Sequence, residues 1–394
     1  MIPLGELPTA MSLGIYIQVP FCQTKCTYCN FHTGVVSRDR HQSYAEAVCC
    51  EIARVGESSH AAVDTVYVGG GTPSLLDPAH LAKMMDALRR SFRAEEPLEV
   101  TLEADPETIT PEKASSWLAA GFNRVSLGSQ SFNDRELQAA GRMHRRKDIF
   151  AAVEALRTAG IRNINMDLIA GLPHQHPESW DKSVEELLNI RPEHVSVYML
   201  EIDEGSRLGR EALAGADRYS AQAIPDDDTI ADFYETARQR LTEAGYEHYE
   251  ISNWALPGYR SRHNLKYWRR EPYLGFGAGA HSFDGMMRWA NAHDPARYVA
   301  CIEQGSSPGE QFEGLTPMQV LDEEFFVGLR LLEGVDLAPI ERDFAPELPA
   351  RVRKIREQIE RLETLGFIER EGTRIRLAPD RLTVSNEVFI QLLG

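Results

Sequence analysis

Three cysteines within one short stretch of the chain have the spacing of a metal or cluster site. The stretch reads YIQVPFCQTKCTYCNF over residues 16–31, and its thiols are Cys22, Cys26 and Cys29. Thiolates are soft ligands that suit iron–sulfur clusters or zinc. In a four-iron cluster each iron takes one ligand, so three cysteines leave one iron free to bind a small molecule and pass it an electron. The alternative is a structural zinc site with a fourth ligand, although zinc usually favours C-x2-C pairs.

The C-x3-C-x2-C spacing is similar to that of radical S-adenosylmethionine (SAM) enzymes, and a glycine-rich turn further along the chain supports this interpretation. The segment VYVGGGTPS follows a predicted strand, and glycines there let the backbone approach a ligand closely. Gly70, Gly71 and Thr72 are therefore the candidates to hold the amino group of SAM. The remaining cysteines are scattered, so we interpret them as small apolar residues rather than disulfide partners: Cys49, Cys50 and Cys301.

Polar residues also recur where successive predicted strands end. Glu103, Gln130 and Asp167 stand at or near three such ends, where side chains point into the mouth of a barrel. Carboxylates and amides suit ribose hydroxyls or an ammonium group, and Arg142 suits a carboxylate, which it can hold through two hydrogen bonds. Taken singly, each residue could equally be a helix cap or part of a structural ion pair. Their arrangement on successive strands favours a binding role.

The elements that must position these residues alternate between short apolar strands and helices. Several strands are apolar on both faces, as in a parallel sheet covered by helices. Six such units predict an α/β fold, a (β/α)6 partial TIM barrel with its site at the C-terminal strand ends. Strands are predicted at 14–19, 64–68, 98–103, 123–128, 161–169 and 194–200, and helices at 41–56, 78–92, 111–120, 133–139, 147–159 and 177–190.

The pattern changes after about residue 305, following a polar excursion without clear period at 203–225 and a helix at 226–244. A run of helices and then a short hairpin predict a small winged-helix-like domain. We expect a barrel domain over 1–300, including a dense segment at 251–283, and a C-terminal domain over 310–394. The helices are predicted at 319–333, 338–344 and 347–365, and the hairpin at 367–377.

Composition restricts the partners. The chain of 394 residues carries 42 basic and 59 acidic side chains, so its formal net charge is 42 − 59 = −17. This balance argues against binding to nucleic acid or to anionic membranes, and the small basic excess of residues 351–381 does not offset it. No apolar run approaches the ~20 residues of a membrane helix. The first basic residue is Lys25, so the basic start of a secretory signal is missing and a cytoplasmic protein is expected.

From about residue 14 onwards the chain resembles the oxygen-independent coproporphyrinogen III oxidase-like radical SAM proteins. The resemblance rests on the cysteine stretch and on GGGTPSLL, EADPET, RVSLGSQSF, GRMHRR, MDLIAGLP, HNLKYW, GFGAGAHS and SNEVFIQLL. It implies a barrel of six βα units with a small C-terminal HemN-type domain, and a [4Fe–4S] cluster on the three clustered cysteines. It further implies SAM contacts at Tyr16, Tyr28, Gly70, Gly71, Thr72, Glu103, Gln130, Arg142, Asp167 and Met199.

Two features favour the heme-chaperone branch of that family over the true oxidase. The oxidase usually has a fourth cysteine where this chain has Phe31, and a longer segment than the 21 residues that precede the first cysteine here. The resemblance then implies a protein that binds heme through HNLKYW and delivers it to acceptor proteins. Its heme candidates are His263 as iron ligand and Tyr267 and Trp268 as stacking rings, with His281 as a weaker alternative. Chemistry alone favours a structural hydrogen bond for His263.

An alternative function and one departure from the family stay open at this stage. The alternative is a radical SAM oxidoreductase that acts on a porphyrin, such as a coproporphyrinogen III dehydrogenase. The departure is Gln18, since most relatives have a histidine there, and an amide cannot titrate or ligate iron comparably. The resemblance implies heme and heme-accepting proteins as partners, peripheral membrane contact through such acceptors, and no nucleic acid.

Overall fold

A sheet of parallel strands in chain order forms the centre of the molecule. The computed structural model describes residues 12–31, 33–57 and 61–393. Adjacent strands pair in parallel throughout the series, which confirms the predicted α/β partial barrel. The strands are β1 (Leu13–Val19), β2 (Ala62–Gly70), β3 (Arg93–Ala104), β4 (Arg124–Gln130), β5 (Asn163–Ala170) and β6 (His194–Met199).

Helices connect these strands, and three of them begin at a residue whose side chain caps the first turn. Asp77, Thr110 and Asn133 each accept a hydrogen bond from a backbone N–H in the first turn of the helix that follows. Buried apolar residues on the inner helix faces pack against the sheet in one contiguous core. The helices are α1 (Asp39–Gly56), α2 (Pro78–Ser91), α3 (Pro111–Ala119), α4 (Asp134–Ala139), α5 (Arg146–Ala159) and α6 (Pro177–Ile190).

The excursion after β6 is more regular than expected. It contains α7 (Arg207–Leu213), and α8 (Asp227–Glu243) follows it. The hydroxyl of Ser206 caps α7 by accepting a hydrogen bond from the N–H of Gly209. A helix of seven residues is too short to show a clear helical period, which is why the sequence pattern missed it.

The sheet continues beyond β1 and β6 to twelve strands. On one side β9 pairs with β1 in parallel and three antiparallel strands complete the edge, and on the other side β8 and β7 follow β6. None of these short strands was predicted. They are β7 (Glu247–Glu250), β8 (Asn253–Ala255), β9 (Tyr273–Phe276), β10 (His281–Phe283), β11 (Met287–Asn291) and β12 (Gly309–Gly314); α9 (Arg262–Trp268) and α10 (Pro295–Glu303) lie between them.

The last part of the chain has the predicted order of helices and hairpin, with an additional short strand and a final helix. The strand β13 pairs with the hairpin, and the apolar core continues from the barrel into these elements. Because β12 still pairs with β11, we propose that the boundary between the two predicted parts lies just beyond residue 314. The elements are α11 (Pro317–Gly328), β13 (Val335–Asp336), α12 (Leu337–Phe344), α13 (Pro349–Thr364), β14 (Ile368–Glu371), β15 (Arg374–Leu377) and α14 (Ser385–Leu392).

Within the described ranges, no helix is long and apolar enough to span a bilayer.

Candidate cofactor site

The C-terminal ends of the parallel strands open into a cavity of about 850 Å³. This volume is in the range of ligand pockets. The structure brings the three clustered cysteines together with every predicted SAM contact except Tyr16. The predicted residues that line the cavity are Cys22, Cys26, Tyr28, Cys29, Gly70, Gly71, Thr72, Glu103, Gln130, Arg142, Asp167 and Met199.

The loop that carries the cysteines is held by backbone hydrogen bonds from three sides. The N–H of Cys22 donates to the carbonyl of Gly34 at 3.0 Å. The N–H of Thr27 donates to Ala140 at 3.0 Å, and its carbonyl accepts from Leu208 of α7 at 2.8 Å. The irregular excursion after β6 therefore braces the cysteine loop, a role that its sequence did not indicate.

The donor set of this loop fits an iron–sulfur cluster. Three half-buried thiols face one cavity, and burial raises the pKa of the Cys22 and Cys29 thiols. Cluster iron binds thiolates, so loading would release these protons. Nη1 of Arg142 lies 3.5 Å from the sulfur of Cys26. At this distance its positive charge would offset the negative charge of a thiolate. Among the side chains that the structure describes, no three potential ligands have already converged on a common metal position.

The glycine turn packs directly on the cysteine loop. The N–H groups of Gly71 and Thr72 donate to the carbonyls of Val19 at 2.8 Å and Phe21 at 2.7 Å. A Cβ atom on Gly71 would lie 2.6 Å from the Phe21 carbonyl oxygen and 3.0 Å from the sulfur of Cys22. Only glycine lets these two segments approach so closely.

The Glu103 carboxylate lies inside the cavity and is held from two sides. It accepts hydrogen bonds from the Tyr67 hydroxyl at 2.8 Å and from the N–H of Gly70 at 2.9 Å. Burial raises its pKa to about 7. The carboxylate therefore has a strong preference for a cationic partner such as the ammonium group of SAM. Sequence analysis did not single out Tyr67, although it precedes the glycine run on the same strand.

The carboxylate that Arg142 contacts in the structure is that of Asp105. Asp105 forms an ion pair with Nη2 of Arg142 and accepts a hydrogen bond from the Thr72 hydroxyl at 3.1 Å. The same Arg142 nitrogen donates to the carbonyl of Gly128 at 2.8 Å. Sequence analysis missed Asp105, which lies two residues beyond Glu103 in EADPET and so shares its direction.

Asp167 and Gln130 form the adjoining wall. Asp167 accepts hydrogen bonds from Asn165 at 2.7 Å and from Ser126 at 3.5 Å, and burial raises its pKa. Gln130 has a left-handed backbone with φ of 64° at an irregularity in the pairing of β4 with β5. Such bulges often re-aim a side chain next to a functional site.

Tyr16 and Gln18 support the site from inside the barrel. The Tyr16 hydroxyl donates to the Gln18 side-chain oxygen at 2.7 Å, and the ring stacks on Tyr67 with centroids 6.0 Å apart. A Cβ atom on Gly70 would lie 2.5 Å from the Gln18 amide nitrogen. The amide that replaces the family histidine thus lies against the glycine turn, and Tyr16 contacts other wall residues instead of lining the cavity.

Comparisons with known proteins cover almost the whole chain. A model of the radical SAM superfamily matches residues 16–187, and a model of the HemN C-terminal domain matches residues 315–380. The chain is 36% identical to the heme chaperone HemW of Mycobacterium tuberculosis (strain ATCC 25618 / H37Rv) over 99% of this chain and 97% of that protein. It is 32% identical to HemW of Bacillus subtilis (strain 168) over 96% of this chain and 98% of that protein.

The chain belongs to the HemW family. Its fold is also that of the solved structure of coproporphyrinogen III oxidase (HemN) from Escherichia coli, with a TM-score of 0.84. That likeness covers 98% of this chain and 91% of the oxidase at 23% sequence identity, so it establishes the shared architecture alone.

The segment HNLKYW of this HemW-family chain closes the opposite end of the barrel. It forms most of α9, whose first N–H groups, those of Arg262 and His263, donate to the Glu99 carboxylate at 3.1 and 3.0 Å. The Lys266 ammonium forms an ion pair with Asp64 at 2.9 Å. Asp64 lies near the start of β2, and Glu99 of β3 pairs with the next residue of β2, Thr65, away from the strand ends that carry the cysteine loop.

His263 is enclosed in this position. Its side chain is buried, with Nδ1 2.9 Å from the Thr65 hydroxyl and Nε2 2.9 Å from the Tyr267 hydroxyl. Burial lowers the pKa of His263 to about 3, so the imidazole is neutral. Neither His263 nor Tyr267 lines the cavity, and His281 lies elsewhere, with its ring 6.4 Å from that of His293.

The remaining heme candidate, Trp268, connects to the cavity through one intermediate side chain. Its ring packs 5.1 Å from the guanidinium carbon of Arg330, and Arg330 lines the cavity. Residues 383–386 and the start of α8 complete this wall. Sequence analysis missed all of these wall residues, since their position depends on how the C-terminal elements dock on the barrel.

Proposed function

We propose that this chain binds heme and delivers it to acceptor proteins, and that it carries a SAM-binding [4Fe–4S] cluster. The observation that carries the proposal is similarity over nearly the full length to relatives that are named heme chaperones. Phe31, where the oxidase has its fourth cysteine, supports it further. The oxidase alternative is not favoured, because only the fold is shared at 23% identity.

The residues that would hold the cluster are Cys22, Cys26 and Cys29. When bound, the cluster would supply an iron open to the amino and carboxyl groups of SAM. The acidic wall around Glu103 suits the cationic groups of SAM, and Gly70 and Gly71 let the glycine turn pack closely on Gln18 and on the cysteine loop at the edge of the cavity. The charge of the cavity supports SAM as its ligand.

For heme, His263, Tyr267 and Trp268 stay the candidates. Since both imidazole nitrogens of His263 are engaged by hydroxyl groups, ligation of heme iron would require the contact with Thr65 or with Tyr267 to open. Heme-accepting proteins are the proposed partners. The chain would contact a membrane only where such an acceptor is located in one. A cytoplasmic location is part of the proposal, and the net charge of −17 supports partners other than nucleic acid.

Hemin titration tests the proposal. The reconstituted protein and a Cys22→Ala, Cys26→Ala, Cys29→Ala triple variant are each titrated with hemin while the Soret band is recorded. We expect saturable binding at micromolar hemin. We also expect the loaded protein to transfer heme to an apo-heme protein, measured after the two proteins are separated by size-exclusion chromatography. Wild-type protein that shows only a linear, unsaturated rise would contradict the proposal. The triple variant shows whether binding depends on the cluster.

A further inference from the structure

Arg330 places a guanidinium on the cavity wall without a protein anion to neutralise it. It follows α11, and its guanidinium carbon lies 5.1 Å from the ring centre of Trp268, 5.3 Å from that of Phe326 and 5.5 Å from that of Phe389. Aromatic faces attract a cation, but they leave its N–H donors unsatisfied.

No hydrogen bond or ion pair to this guanidinium comes from the part of the chain that the structure describes, and its buried Nε has no partner. Burial lowers the pKa of Arg330, and the more distant carboxylates of Glu250 and Glu201 oppose that shift. Two nearby arginines, in contrast, form ion pairs: Arg270 contacts two glutamates, and Arg351 contacts Asp322. A partly buried, unpaired charge is costly, so its retention on a cavity wall points to a ligand.

The backbone around Arg330 is fixed. Its carbonyl accepts a hydrogen bond from the N–H of Ile251 at 3.0 Å. Two residues later, the N–H of Leu332 donates to the carbonyl of Tyr249 at 3.1 Å. Leu331 forms an isolated bridge with Glu250 on the edge of the barrel sheet. The guanidinium is therefore preorganised, which lowers the entropic cost of binding an anion.

The charges around the cavity restrict where an anion can go. Among the described lining residues, eight are acidic and three are basic. Arg142 is engaged by Asp105, and the ammonium of Lys25 donates to a backbone carbonyl at 3.1 Å on an exposed loop. An acidic wall suits the sulfonium of SAM, and among its basic side chains Arg330 is the one with no direct partner in the described chain to compete with a ligand carboxylate.

We propose that Arg330 binds a carboxylate of the bound tetrapyrrole, a heme propionate, at the wall of the cavity that also takes SAM. The inference rests on the proposed function and adds a location to it. Trp268 supports this location, because one candidate ring for stacking on heme packs directly on this guanidinium. The carboxylate of SAM is the other source of the same chemistry, and the experiment separates the two.

Binding of hemin, hemin dimethyl ester and SAM is compared for wild type, Arg330→Gln and Arg330→Lys. The ester lacks free propionates but keeps the ring and iron. We expect Arg330→Gln to weaken hemin binding about tenfold, the scale of one charge-assisted pair, to change ester binding less than about twofold, and to leave SAM affinity unchanged. Arg330→Lys keeps the charge and is expected to restore part of the hemin affinity. Arg269→Gln, which alters a neighbouring exposed ion pair with Glu333, is the matched control.

Equal losses for hemin and its ester would overturn the inference, since they indicate a packing role for Arg330 among its three rings. A loss of SAM affinity with unchanged hemin binding would assign the guanidinium to the carboxylate of SAM and overturn it as well. Unchanged binding of all three probes would overturn this inference while the proposed function stands. Wild-type protein that binds neither porphyrin would instead remove the proposed function itself.

Discussion

The hydroxyl of Thr65 lies 2.9 Å from Nδ1 of His263 and holds that imidazole inside the barrel. The ring also lies 5.3 Å from the ring of Tyr67, whose own hydroxyl reaches the Glu103 carboxylate. A motif expected to bind heme therefore forms the floor beneath the cofactor cavity. Two side chains of β2, Thr65 and Tyr67, connect it with the candidate cofactor site.

Replacing His263 by alanine is expected to destabilise the protein before any heme is added. The substitution removes a buried ring and leaves the Thr65 and Tyr267 hydroxyls without their partner. We expect the free energy of unfolding to fall by about 2–4 kcal/mol, measured by chemical denaturation without heme. His281→Ala, at an exposed ring, is the control and should cost less than about 1 kcal/mol. Equal stability of the His263 variant and wild type would show that the ring is not packed as described.

Each of Cys22, Cys26 and Cys29 is expected to be essential for cluster loading and dispensable for folding. A single substitution by alanine should reduce the iron content after anaerobic reconstitution from about four to less than about one per chain. The thiols are only half-buried in a loop, so stability without the cluster should change by less than about 1 kcal/mol. Cys301→Ala should load normally. Full loading of any one variant would exclude that cysteine as a ligand.

Gly71→Ala is expected to damage the cofactor site through the contact between the glycine turn and the cysteine loop. The added carbon would meet the Phe21 carbonyl and the Cys22 sulfur, so one segment must move, at a cost of about 1–3 kcal/mol. We expect SAM affinity to fall at least about tenfold by equilibrium dialysis. Gly34→Ala tests the same loop where no described atom lies within 4 Å of the added carbon. Equal affinity of both variants would rule out this close contact as the cause.

The cofactor-free protein is expected to lose stability as the pH rises from about 5 to about 7, because three buried carboxyls outweigh two buried imidazoles in this range. Burial raises the pKa of Glu51, Glu103 and Glu250 to about 7, so the folded state binds more protons than the unfolded state between their ordinary pKa and that value. Stability from these groups is fully present below their ordinary pKa, is lost as the pH rises towards about 7, and changes no further above that value. Burial lowers the pKa of His248 to about 4 and of His263 to about 3, so their contribution is lost as the pH falls below about 6.5.

Thermal unfolding at constant ionic strength, from pH 5 to pH 9, measures this dependence. Glu51→Gln removes one of the three titrating carboxyls and should reduce the fall in melting temperature between pH 5 and about 7. A melting temperature that rises over that range would show that the buried glutamates are ionised without penalty.

The parallel strands and the helices between them could be predicted because their residues show strong local periodicity. The same holds for the residues at strand ends, since a parallel barrel brings those ends together. Tyr16 shows the limit of this reasoning. A pattern along β1 predicts which side chains face the barrel interior, but not how deep each lies below the ligand.

The heme motif and the cavity wall show a second limit. The sequence identifies HNLKYW as unusual, yet which end of the barrel α9 closes depends on contacts with Asp64 and Glu99, more than 160 residues earlier in the chain. Arg330 carries no local signal, because its neighbours Phe326 and Phe389 come from different helices. Asp105 is different: its spacing from Glu103 would have been sufficient to find it.

Cys22 and Asn386 line the same cavity although they are separated by almost the whole described chain. During synthesis the cysteine loop leaves the ribosome early, whereas the wall at 383–386 emerges near the end. The wall of the cavity therefore stays incomplete until nearly the whole described chain has been synthesised. Completion of the ligand chamber is a late event in the synthesis of each molecule.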